Sequence, residues 1–123
     1  MPHNEFAGLI LPTVVETTAF MRRAEKLLSL AEYEDLIVYL SRYREAGDEI
    51  PGTGGVRKLR FGAFGRGKSG GVRAIYYFYD ENTPLYAIFL YGKNEQTDLT
   101  SAQKKEVKAF AATIKAAAIR MRS

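Results

Sequence analysis

The stretch VRAIYYFYDENTPLYAIFLYGKNE, residues 72–95, decides how the chain folds. Residues 72–79 and 85–91 are crowded with β-branched and aromatic side chains, the types that suit a pleated surface. Between them Asp80-Glu81-Asn82-Thr83-Pro84 is a turn. Two such runs joined by a short polar segment read as an antiparallel hairpin. Both faces of each run carry apolar or aromatic residues, so the two strands belong in the middle of a sheet.

Working outward, residues 56–61 alternate as a further strand, entered through the Pro-Gly-Thr-Gly-Gly turn at 51–55. Val56, Lys58 and Arg60 point one way, and Arg57, Leu59 and Phe61 the other. The β-branched segment 12–17 suits another strand. From Thr18 the period changes. Phe20, Ala24, Leu27 and Leu28 share a helix face. Ser29 with Glu32 is a capping box opening a second helix, whose stripe is Tyr33, Leu36, Ile37, Leu40 and Tyr43, with Gly47 as its stop. Thr100 with Gln103 is another capping box, ahead of an amphipathic, basic helix through Val107, Phe110, Ile114, Ala117 and Met121. The order strand, helix, helix, three strands, helix defines an α+β domain. A mostly antiparallel sheet is packed by an N-terminal helix pair and a C-terminal helix.

The 123 residues fit one domain, 12–123, with 1–11 as an N-terminal arm. There is no cysteine, and the one histidine, His3, lies near a terminus. That excludes disulfides, thiolate chemistry and cysteine- or multi-histidine metal sites; no metal and no cofactor are expected. No apolar run of membrane-spanning length and no signal peptide are visible, so a cytoplasmic protein without membrane attachment is expected. The formal net charge of +4 is a remainder. Residues 1–50 carry net −4, residues 51–79 net +6 without a single acid, and residues 80–123 net +2. A block of six cations and no anion is a candidate anion-binding surface.

One motif match fails in context. Residues 62–69 fit the phosphate-loop pattern G-x-x-x-x-G-K-S. That pattern works because a helix starts at its Lys-Ser and aims backbone N–H groups at phosphate. Here Gly70-Gly71 and a β-prone run follow, so the segment is a hairpin loop whose Arg66 and Lys68 serve as point charges toward phosphate.

The surviving constellation is cationic. Lys58 and Arg60 share one strand face, with Leu59 and Phe61 turned toward the helices, so the cations are expected on the open face of the sheet. Arg73 begins the adjoining strand, and Lys93 and Glu95 follow the end of the next. Cations neutralise phosphates and aromatic rings stack on bases, so such a face suits RNA. Tyr76, Tyr77 and Tyr91 are the stacking candidates.

Three motifs in order carry a resemblance: Gly54-Gly55-Val56-Arg57-Lys58-Leu59-Arg60, Gly70-Gly71-Val72-Arg73-Ala74-Ile75-Tyr76-Tyr77 and Leu90-Tyr91-Gly92-Lys93-Asn94-Glu95. Together they resemble the RelE/HigB superfamily of bacterial toxins, in its HigB-like branch, over about residues 12–121. The resemblance implies a RelE-like small-ribonuclease fold. It also implies a toxin that cuts messenger RNA on the ribosome through attack by the RNA's own 2′-hydroxyl, without metal. The partner it implies is a cognate antitoxin, usually a HigA-like helix-turn-helix protein.

In that chemistry Arg60 and Arg73 hold the scissile phosphate, and Lys58 and Lys93 are proton-transfer candidates. Glu95 is either a base or a salt-bridge partner orienting Lys93. Arg57, Arg66, Lys68, Tyr76 and Tyr91 are candidates for RNA and ribosome contact. The sequence departs from better-known RelE members in having Asn94 where they carry an arginine, and no tyrosine after Tyr91. Two other readings fit the same residues: a ParE-like toxin that binds DNA gyrase and cuts nothing, and a non-catalytic RNA-binding module.

Overall fold

A computed structural model describes residues 13–62 and 71–122. The elements are β1 (Val14–Glu16), α1 (Thr18–Leu27), α2 (Leu30–Arg42), β2 (Asp48–Glu49), β3 (Arg57–Phe61), β4 (Val72–Tyr77), β5 (Leu85–Gly92) and α3 (Ser101–Arg122). Both capping boxes form. Ser29 Oγ accepts from Glu32 N at 3.1 Å while Glu32 Oε1 accepts from Ser29 N at 2.7 Å. Thr100 and Gln103 repeat the exchange ahead of α3, at 3.1 and 2.9 Å. Each box satisfies backbone donors that a helix start leaves unpaired.

The sheet has five strands in the order β1-β5-β4-β3-β2. β1 runs parallel to β5 and the other neighbours are antiparallel. The expected hairpin is therefore its centre. β2 was not foreseen: Asp48-Glu49 is a short acidic edge, paired with Lys58 and Arg57. α1 and α2 cover one face, burying Phe20, Ala24, Leu36 and Leu40 against Leu59, Ala74, Tyr76 and Leu90. α3 covers the other, burying Val107 and Ala111 against Val56, Ile75, Tyr77 and Tyr91. The expectation of an open cationic face is thus corrected: Lys58 and Arg60 stand on the face that α3 packs. Two outer stripe positions are not core: Tyr43 is 53% exposed and Met121 87% exposed. Among the described residues no helix is long and apolar enough to cross a membrane.

One irregularity sets the geometry of the site. Ile75 pairs with Phe89 but Tyr76 with Ala87, so Ile88 is an extra residue on β5. Ile88 and Phe89 consequently both face α3. This β-bulge resets the alternation, sending Leu90 into the α1/α2 core and Tyr91 to the α3 face.

Gly47 does not stop α2, which ends five residues earlier with Tyr43 as its C-cap. Its role is close approach. A Cβ there would lie 2.9 Å from both Lys58 O and a ring carbon of Tyr76. Its N–H donates to Tyr76 Oη at 2.9 Å, inside the core. Tyr76→Phe is expected to strand that buried donor and lower stability by about 1–3 kcal/mol. Gly47→Ala is expected to exceed that loss, because backbone as well as side chain must shift. Urea unfolding midpoints with unchanged m-values check both.

Candidate active site

Backbone pairing fixes the site. Arg73 of β4 lies directly opposite Arg60 of β3 on one side and Tyr91 of β5 on the other. The three form one row across the α3-facing side, with Tyr91 buried and the two arginines at its open end. Lys93 comes from the turn that follows β5: its N–H donates to Gly71 O at 3.0 Å, holding the turn against the start of β4. Gly71 must be glycine there, since a Cβ would meet Phe61 O at 2.8 Å. Arg60, Arg73 and Lys93 line one cleft of about 460 Å³ with Phe61, Gly62 and Gly71. Among the described residues none of the three cations is ion-paired with an acid. Like charges directly opposite on adjacent strands oppose folding. A cleft that gathers three of them is electrostatically suited to an anion.

Lys58 sits one step away. It donates to Asp98 Oδ1 at 3.0 Å, and that hydrogen bond, reinforced by the charge, holds Asp98 below its usual range. Lys58 lines an adjoining cleft with Arg60, Asp98 and Lys104. Arg60 therefore belongs to both.

The remaining candidates separate. Glu95 does not pair with Lys93. Arg23 of α1 donates to Glu95 Oε1, and Gly92 N donates to the same oxygen at 2.7 Å. The Arg23 bond first, then the Gly92 bond, hold the carboxyl below its usual range, so it is a poor proton acceptor. Glu95 instead closes the turn that presents Lys93. Arg23 also donates from Nε to Leu90 O at 3.2 Å. It escaped notice in the sequence because it lies 72 residues from Glu95 in the acidic first third, and nothing local marks it.

Arg57 points to the other face and donates to Glu45 O at 3.1 Å and Gly47 O at 2.6 Å; it clamps the α2–β2 connection rather than facing the cleft. Tyr76 is fully buried on that same face and its ring is closed to a base. Tyr77 and Tyr91 are buried under α3, Tyr91 donating to Thr97 O at 3.3 Å. Tyr91 thus forms the floor beside Arg73 rather than a stacking platform. Burial raises the pKa of both Tyr76 and Tyr91, keeping them neutral. Arg66 and Lys68 lie outside the described residues.

Fold and cleft together define a small α+β domain with an anion-receptive site at the strand ends. The chain belongs to the RelE toxin family: the model of the "RelE toxin of RelE / RelB toxin-antitoxin system" matches residues 14–121. The fold is also similar to that of a mutant of the E. coli toxin RelE in the free state. The TM-score is 0.52 at 17% identity, covering 85% of this chain and 97% of that one.

The Arg23–Glu95 pair has a pH signature. The folded carboxyl titrates below the unfolded one. Its contribution is therefore complete above the unfolded value and lost as pH falls through the folded one, below the ordinary carboxylate range. Arg23→Gln is expected to flatten the acid limb of the stability profile, measured by thermal unfolding between neutral and acid pH.

Proposed function

We propose that this chain is a HigB-like toxin that cuts messenger RNA on the ribosome. The paired arginines of the Arg60–Arg73–Lys93 cleft carry the reading. In-line transfer needs neutralisation of the phosphorane, a base for the 2′-hydroxyl and an acid for the leaving 5′-oxygen. Arg60 and Arg73, opposite one another, grip the scissile phosphate from two strands; guanidinium forks match phosphate oxygens and stay charged. Lys93 is the proton-transfer group inside the cleft. Lys58, aimed by Asp98, is the second such group and approaches from the Arg60 side. Attack by the RNA's own 2′-hydroxyl needs no metal. The nearby tyrosines are buried, so base stacking falls to ribosomal RNA.

The partner that holds the toxin inactive is a cognate helix-turn-helix antitoxin of HigA type, and the compartment is the cytoplasm, where ribosome and message are. A gyrase-binding toxin on this scaffold would have no use for two apposed arginines.

Arg60→Ala and Arg73→Ala are each expected to lower cleavage of a translated message by about 10²–10³-fold, as removal of one transition-state donor does elsewhere. Lys93→Ala should fall comparably, with thermal unfolding unchanged or improved in the arginine variants as repulsion is relieved. Primer extension on messages in a translating extract checks this. Full cleavage by Arg73→Ala and Lys93→Ala would overturn the assignment. Arrest with intact messages and damaged DNA would point to gyrase instead.

A further inference from the structure

Outside this cleft the strongest unexplained feature is one flank of α3. Lys104, Lys108, Lys115 and Arg122 are all exposed. With 3.6 residues per turn and 1.5 Å rise they fall within about 40° of one another around the axis and extend about 27 Å along it. Glu106, the one acid in the helix sequence, points about 180° away. Lysines placed for solubility alone are normally interleaved with acids one turn away, as exposed helix faces generally are. This flank has none.

Packing fixes where the flank points, because Val107, Ala111 and Ala118 are buried on the neighbouring face. At its start Lys104 shares a cleft with Lys58 and Arg60, and Arg60 also lines the Arg73–Lys93 cleft. Of the acids in the Lys104 cleft, Asp98 is matched by Lys58 and Glu49 by Arg57, which leaves Asp48. At the far end Lys115 and Arg122 stand 6.0 and 5.7 Å from the centre of the Tyr79 ring, and Arg122 is tied to Asp80. The line of cations therefore starts at Lys104, which shares a cleft with Arg60 and also acts on Asp98, and runs along the helix to an anchored end.

We infer that this flank of α3 is a rail for the phosphate backbone of the single-stranded RNA that enters the cleft, with Lys104, Lys108 and Lys115 as its contacts. The inference rests on the reading of the cleft as an RNA site. The occupant is a strand, because the cations form one line continuous with the place where that strand is held. Each phosphate contact releases counterions and adds about 0.7 to the salt dependence of single-strand binding.

The test uses the full chain and fluorescent, fully 2′-O-methylated RNA, which cannot be cut. A four-nucleotide probe fits the cleft, and a twelve-nucleotide probe also reaches the helix. Lys104→Ala, Lys108→Ala and Lys115→Ala are combined; alanine favours helix, and circular dichroism verifies the fold. The triple variant is expected to bind the longer probe about tenfold more weakly at low salt, with its salt slope reduced by about 2, and the short probe unchanged. Equal affinity and slope for the longer probe would overturn the rail, as would equal losses for both lengths. A duplex of the same length weakened more than the single strand would overturn the single-strand assignment. The Arg60→Ala, Arg73→Ala double variant separates the two ideas. If it binds both probes normally while the lysine variant loses the longer one, the cleft reading fails, and with it the rail as a path into the cleft, although the helix still binds RNA.

Discussion

The backbone register that sets Arg73 between Arg60 and Tyr91 is the constraint on which the rest of the structure depends. Two guanidinium groups on facing positions repel, and nothing in the described residues neutralises them. The ladder holds them together because the next row, Leu59, Ala74 and Leu90, is locked under α1 and α2. A slip of one residue would turn that row to the wrong face and expose it. Hydrophobic burial on one face thus enforces an unfavourable arrangement of charge on the other, and that stored repulsion is what an anion relieves.

The rest of the cleft is built by devices that act at the ends of strands. The bulge at Ile88 reverses the facing of Leu90 and Tyr91, so that a buried ring, not an aliphatic side chain, floors the site beside Arg73. The turn after β5 is drawn in from two sides: Lys93 N bonds to Gly71 O, and Glu95 is gripped by Arg23 of α1. Glu95 is engaged in holding that turn, and an arginine from the acidic third of the chain is its partner. α3 closes the sheet but leaves its end open, so the cations keep a wet, accessible edge within a two-layered cover.

Much of this was legible in the sequence, for definite reasons. Capping boxes at Ser29 and Thr100 are local signals, and both form. The aromatic runs at 72–79 and 85–91 state their own pairing, and the alternation in 56–61 correctly separated Lys58 and Arg60 from Leu59 and Phe61. What was illegible depends on distant parts of the chain. No pattern in β5 marks Ile88 as the extra residue, because both neighbours are apolar. A two-residue strand such as Asp48-Glu49 has no periodicity to detect. That α3 would cover the cationic face, that Tyr76 would bury its hydroxyl against Gly47, and that Glu95 would choose Arg23 over the adjacent Lys93 are decisions of packing.

The central claim, that Arg60, Arg73 and Lys93 form one phosphate site, is tested most directly by nuclear magnetic resonance of the side-chain nitrogens during titration with a nucleoside 3′-monophosphate. Arg60 and Arg73 Nε–H signals and the Lys93 ammonium should shift together along a single binding isotherm, while Arg57, engaged with Glu45 and Gly47, stays in place. Separate isotherms for Arg60 and Arg73, or movement of Arg57 with neither, would contradict it.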